Sequence, residues 1–373
     1  MRAVSNLPRL GLVVTFFFAL FFGVLFVIDS QARLDQIPGS RFTSAQVAAQ
    51  GDAALGLPDD VISGLFYNPA ILGKIKKPRL ELINYSLSPS ETLITKAGQN
   101  AGKVLSLSNA RSLLSSHPQQ NFGFSGRYAL SYGGPNFFAG LLMQAEFSAQ
   151  ARLDGSIYHR SLYQFIPTVG MGRSFLKGWL RLGYSLQWVN QASGAQTASE
   201  SSALSYSSGL TQGAGFSHTL GAALTVPASF FPQLDLIVRN VGGTRYSTQA
   251  FMYFVTQPVG VSPFEPMTLD AAFSVHPSLG RLGVLHLSLA YRDFTHRSAL
   301  TSARERIALG SELSLSQRVL LRGGLRGRYP CFGVGFKARS AELSLTYYSE
   351  NVGESGIEMR NAQYLFQYSL RSF

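Results

Sequence analysis

The sequence predicts an all-β fold, a transmembrane antiparallel β-barrel of about fourteen strands. Three observations carry this expectation: strict alternation of apolar and polar residues after Pro78, segments long enough to cross a bilayer, and a composition short of charge.

Composition sets the frame. At 373 residues the chain has room for two ordinary domains or one large all-β unit. Charged residues make up 14%, against roughly 25% in a typical soluble domain, while aromatics reach 12%. That balance suits a protein with little water-facing surface per residue, as when one strand face meets lipid and the other a lined lumen. The net charge is +12, and the bases are mostly Arg scattered singly through strand-like segments. Nucleic-acid binding concentrates Lys and Arg in one patch, so a nucleic-acid partner does not fit; anionic lipid headgroups or an anionic solute fit better. Cys331 is the sole cysteine, which excludes an intramolecular disulfide and a Cys-based metal site.

The N-terminus reads as an export signal over residues 1–32. Arg2 and Arg9 frame the start of an apolar run over residues 10–28, and Ser30 and Ala32 occupy the third and first positions before a cut after Ala32. The run is longer than the usual signal core, so an uncleaved anchor helix is the alternative. No other run of 18 apolar residues follows, which excludes a multi-helix membrane protein.

Period two governs the rest. Leu180, Leu182, Tyr184, Leu186 and Trp188 alternate with Arg181, Gly183, Ser185 and Gln187, which makes a strand with one greasy and one polar face. The same holds for Leu285, Leu287, Leu289 and Tyr291 against His286, Ser288, Ala290 and Arg292. Strand segments are expected near 79–87, 122–133, 136–150, 157–172, 178–190, 215–227, 233–241, 248–256, 266–276, 283–294, 303–315, 318–328, 331–348 (one strand or two) and 361–373. Many reach the nine to eleven residues, roughly, that a tilted strand needs to span a bilayer. Lipid offers no partner for a backbone N–H or C=O, so such a sheet must close on its own edge.

The polar members of the alternation then face inward. Arg181, His286, Arg292, Glu312, Arg322, Arg326 and Glu342 are predicted lumen residues, as ion-paired fillers of the bore or as ligand contacts. Trp179, Trp188, Tyr291 and Tyr347 fit an interfacial aromatic girdle. Two stretches break the pattern: residues 92–121 carry apolar positions at helical spacing, and the Ser- and Gly-rich residues 192–214 read as a loop.

The segment from Gly51 to Lys74 (GDAALGLPDDVISGLFYNPAILGK) resembles the N-terminal signature of the FadL-like superfamily of outer-membrane proteins, which includes the PorV-like proteins of type IX secretion. Its aromatic-Asn-Pro-Ala motif is Tyr67, Asn68, Pro69 and Ala70, where Asn before Pro favours a turn. The strand ending at residues 234–244, the one introduced by Pro266, and residues 306–350 are similar to later strands of that family. The resemblance implies a hatch over residues 33–77 that plugs a barrel of residues 78–373, in a bacterial outer membrane. It implies a channel for hydrophobic or amphipathic small molecules, or else a PorV-like scaffold that holds surface proteins. Implied partners are outer-membrane lipid and lipopolysaccharide, the barrel-assembly machinery, a hydrophobic ligand or a surface protein. The C-terminal Tyr364, Phe366, Tyr368 and Phe373 resemble a barrel-assembly signal, with Phe373 out of phase unless a bulge lies near Arg371 or the end is frayed.

Recognised catalytic chemistry is missing from the pattern. There is no nucleophile elbow, zincin motif or phosphate-binding loop, and the six histidines show no metal-binding spacing. The expectation is therefore a non-enzyme without cofactor or metal.

Overall fold

The computed structural model describes residues 41–58, 60–96, 114–116, 118, 120–198, 205, 207–228, 230–297, 303–316, 318–351 and 360–372. The predicted signal peptide and its cleavage site lie outside them. Fourteen strands close into one antiparallel barrel. They are β1 (Arg79–Pro89), β2 (Asn121–Gly133), β3 (Phe138–Ala151), β4 (Ile157–Phe175), β5 (Leu180–Ala198), β6 (Thr211–Thr225), β7 (Gln233–Arg239), β8 (Thr268–Val275), β9 (Gly283–Tyr291), β10 (Ile307–Leu315), β11 (Val319–Arg326), β12 (Tyr329–Lys337), β13 (Ala341–Asn351) and β14 (Arg360–Ser372). Each strand pairs with its sequence neighbours, and β1 closes the sheet on β14 from Leu80↔Ser372 to Leu87↔Phe366. No strand edge is left to the lipid.

The wall is uneven in height. β4 and β5 each run 19 residues, about 60 Å of chain at the usual strand rise, whereas β7 and β8 have 7 and 8. Turns of three to seven residues join the strands at one end; the other end carries the long connections over residues 90–120 and 240–267 beside the short ones at 152–156 and 327–328.

Residue parity separates lipid from lumen. Odd residues of β5 and β6 face inward, since Gly183 and Gly221 abut the chain at residues 68–70. The outward positions of the strands carry Leu182, Leu220, Met171, Phe273, Leu309, Leu343 and Phe366, which remain exposed on the outer face and form an apolar belt.

The N-terminal segment fills the bore. It contains helix α1 (Ala45–Ala49), helix α2 (Val61–Phe66) and a 3₁₀ turn (Pro69–Lys74). Ser44 and Asp60 start the helices by accepting from the N–H groups of Val47 and Ser63, at 3.3 and 2.7 Å. Neither helix is long enough to be stable alone, so the barrel wall must hold them. It does so by close backbone approach: a Cβ on Gly221 would come within 2.6 Å of Asn68 Oδ1, one on Gly172 within 2.6 Å of Gly73 N, and one on Gly183 would overlap the Pro69 carbonyl.

Some expectations change. Residues 248–256 are not a strand, although Phe251, Tyr253 and Val255 alternate; the backbone N–H groups of Phe251, Phe254 and Val255 bond to the side chains of Asn190 and Gln212 in place of a ladder, and the segment lies on the outer wall. Phe251 packs on Trp188 (5.3 Å between ring centres) and Phe165 (6.1 Å), and Phe254 stacks on Tyr163 (6.0 Å). The expected segment at 331–348 is two strands, β12 and β13, turning at residues 338–340, so the count of fourteen survives by exchange. The loop expected at 192–214 is shorter, because β5 continues to Ala198 and β6 begins at Thr211. Small polar side chains do not prevent a ladder there, because β4 pairs with β5 as far as Ile157↔Ala198. Of the helical region 92–121, residues 91–96 form a helix, and most of the remainder lies outside the described residues. The expected bulge near Arg371 sits across the seam instead, at the register shift between Glu81 and Ile83 of β1; Phe373 lies outside the described residues.

Gly183→Val tests the close approach. The barrel should still form, but the N-terminal segment should lose about 1–3 kcal/mol of docking free energy. Limited proteolysis of the folded barrel should then cleave within residues 41–75 at a protease concentration that leaves the unsubstituted protein intact.

Candidate functional site

The bore is divided by chemistry. On the β2–β5 side Ala129, Phe138, Leu142, Ile166 and Val189 form a greasy wall, and Phe42, the buried face of α2, Leu72 and Ile75 pack against it. On the β7–β14 side the wall is ionic.

Asp52 anchors that ionic side. Its carboxylate, 1% exposed, lies 2.8 Å from Arg292 and 3.2 Å from Arg326, and Arg326 also reaches Glu350 at 3.3 Å. Arg322 is held by Glu312 at 2.7 Å, Glu342 at 3.1 Å and Ser344 at 3.0 Å. Gln46 of α1 donates to Glu312 at 3.0 Å. Arg239 pairs with Asp270 at 2.9 Å and sits 5.2 Å above the Tyr67 ring. These carboxylates and guanidiniums are out of water, so each needs its partner to be tolerable.

The Tyr-Asn-Pro-Ala motif joins the two halves. Asn68 Oδ1 accepts from Ala70 N at 3.0 Å to start the 3₁₀ turn, with Pro69 at its first position. Asn68 Nδ2 donates to Leu55 O at 2.8 Å and to Asp235 of β7 at 3.3 Å. One amide thus ties the turn, the segment and the wall. Tyr67 donates from its hydroxyl to Asp52 O at 3.0 Å, and burial holds that phenol well above its ordinary pKa, so it stays a neutral donor.

The seven predicted lumen residues all stand on the inner face. Arg292, Glu312, Arg322, Arg326 and Glu342 belong to the ionic network. Arg181 and His286 stand apart. Arg181 bonds Gln233 at 2.7 Å and Thr225 at 3.0 Å. His286 meets His276, ring to ring, at a small recess between residues 53–57 and β7–β9. Burial, and then the charge of His286, push His276 down to about 4. Tyr364, Phe366 and Tyr368 face outward on β14, where Tyr364 packs on Tyr347 at 5.1 Å.

Sequence reasoning missed the residues of the segment that reach the wall: Arg41, Gln46, Gln50 and Asp52. Arg41 donates to Gln187 and Ser217, each at 3.0 Å, and pairs with Glu265, which also accepts from the Tyr246 hydroxyl. The available signal was an Asp or amide inside a run of small residues ahead of the first strand.

No family model matches the sequence, and no curated protein matches it. Solved structures do. The CymD monoaromatic hydrocarbon channel superposes with a TM-score of 0.51 at 10% identity, covering 88% of this chain and 97% of that one. A deltaS2 mutant of the TodX monoaromatic hydrocarbon channel gives 0.50 at 10%, with the same coverage. The chain has the barrel fold of these two channels, and at this identity the likeness is one of fold alone. The toluene transporter TodX of Pseudomonas putida is similar at 0.49, over 91% of this chain and 98% of that one, at 10% identity.

Asp52→Asn removes the charge that two buried arginines share. The barrel should lose on the order of 3 kcal/mol, read as a lower denaturant midpoint in detergent micelles, while Arg281→Gln on the exposed rim should leave the midpoint within about 0.5 kcal/mol.

Proposed function

We propose that this chain is a bacterial outer-membrane channel for small hydrophobic or amphipathic molecules, with residues 41–75 as the plug of its bore. The observation that carries the reading is the split interior: an apolar wall on β2–β5 covered by an apolar face of α2, opposite a wall that grips the same segment by ion pairs. Apolar contact is non-directional, so the wall under α2 can take a hydrocarbon wherever α2 leaves it, at the cost of the bonds that Glu81, Gln187 and Arg239 make to the α2 backbone. The greasy surface so uncovered suits a hydrocarbon and repels a sugar. The similar solved structures are hydrocarbon channels, which supports the same class of solute.

Arg181 is the inward base assigned to an anionic headgroup. Its hydrogen bonds go to neutral Gln233 and Thr225, with the Asp235 carboxylate near by, and its Nε has no hydrogen-bond partner among the described residues. Such a donor is the natural seat for a carboxylate at the short-turn end. The short-turn end is the periplasmic one in outer-membrane barrels, so a ligand would meet Arg181 late in its passage.

Uptake into vesicles holding the purified protein tests this. Toluene and a long-chain carboxylate should enter and lactose should not. Arg181→Met should slow the carboxylate about tenfold and leave toluene unchanged. Leu65→Cys with Gly170→Cys, in a Cys331→Ser background, should close the path when oxidised and reopen it on reduction. An intact barrel that passes none of these solutes would leave the scaffold role in its place.

A further inference from the structure

The short-turn end of the barrel carries charge of one sign. None of its six turns, residues 134–137, 176–179, 226–232, 276–282, 316–318 and 338–340, contains an Asp or Glu. Four of them hold an exposed base: Lys177, Arg281, Arg318 and Arg339. Lys76 and Lys77, also exposed, add two more just ahead of β1. The sum of these six charges is half of the net +12. The connections at the opposite end mix signs, with Asp154, Glu265, Asp293 and Glu305 among their described residues.

The bases are also spread around the circumference. They sit at β1 and at the β4–β5, β8–β9, β10–β11 and β12–β13 turns of the closed order. The two turns without a base present aromatic rings. Phe137 is 56% exposed in one, and Phe230 and Phe231 are 61% and 55% exposed in the other. Backbone φ values of 68° and 43° hold Phe230 and Phe231 in the left-handed region, a strained conformation for aromatic residues.

Water has no use for the phenylalanines, and an acidic protein docked on one side would miss most of the ring. A lipid leaflet surrounds the barrel. It offers anionic headgroups to Lys and Arg side chains that snorkel toward them, and an acyl boundary to the rings between. We propose that this rim is a binding surface for anionic glycerophospholipids of the periplasmic leaflet. The proposal rests on the outer-membrane reading above, which fixes the short-turn end as periplasmic.

The test is native mass spectrometry of the full-length protein in detergent, titrated with phosphatidylglycerol or phosphatidylethanolamine. The unsubstituted protein should prefer phosphatidylglycerol about fivefold, and added salt should erode that preference. A variant carrying Lys76→Gln, Lys77→Gln, Lys177→Gln, Arg281→Gln, Arg318→Gln and Arg339→Gln should bind the two lipids equally. Heat-modifiable migration on gels confirms that this variant is still a barrel; if it is not, the three-site variant Lys177→Gln, Arg318→Gln, Arg339→Gln should show an intermediate preference. Equal binding by the unsubstituted protein, or an unchanged preference in the folded variants, overturns the proposal, as does an acidic protein recovered on the rim in place of lipid. Failure of the outer-membrane reading looks different, because the unsubstituted protein would then not insert into vesicles as a barrel at all.

Discussion

A backbone in hydrocarbon has no water to bond, and this requirement organises the whole molecule. It forces the sheet to close, and closure on fourteen strands fixes a circumference. Barrels of about eight strands can fill their interior with wall side chains alone, whereas this one is too wide for that. Something else must occupy the bore. The segment ahead of β1 does so, and the glycines at 172, 183 and 221 let its backbone come nearer than any side chain on the wall would allow.

Once inside, the segment meets a polar lumen and must satisfy it. Lumen positions on a period-two strand are the polar ones, so the inner wall inherits Arg, Glu and Asp that the outer wall excludes. Left alone, these would be open to the water of a channel. Covered by a plug, they are buried, and a buried charge is tolerable only when paired. Asp52 and Gln46 are where the segment answers the wall, and the answer comes from one sector, β9–β14. The opposite sector, β2–β5, sets five apolar residues among its inward polar ones, Ala129, Phe138, Leu142, Ile166 and Val189, and these are met by apolar residues of α2.

The barrel was legible because its signal repeats. Alternation in β5, β9 and β13 reports each strand directly, and an error at residues 248–256 is offset by a hairpin hidden in residues 331–348. That false strand shows the limit of periodicity: Phe251, Tyr253 and Val255 alternate in sequence but do not share a face, since Phe251 and Tyr253 are exposed while Val255 is buried, and Phe254 between them stacks on Tyr163. The inner contacts were only half legible. Parity places Arg292, Arg322 and Arg326 in the lumen, yet it cannot say that Asp52, 240 residues from Arg292, is the partner. Such pairings are set by how the plug is threaded, and threading leaves no local period. The Tyr-Asn-Pro-Ala motif was visible as a turn, whereas the role of Asn68 as a three-way tie to Leu55, Ala70 and Asp235 exists only once the barrel has closed around it.

The uneven grip on the segment bears on how a path could form without dissolving the barrel. Ion pairs and amide bonds are directional and fail sharply when stretched by an ångström or two, whereas apolar contacts lose free energy gradually with area. The contacts of the segment are accordingly of two kinds. Around Asp52 and Asn68 they are directional; under α2 they are mainly apolar, with bonds from Glu81, Gln187 and Arg239 to its backbone. The connection at residues 240–267 lays Phe251 and Phe254 on β4 and β5. It also supplies Glu265, which pairs with Arg41 at the start of the segment and accepts from the Tyr246 hydroxyl, so the connection and the segment meet at one carboxylate.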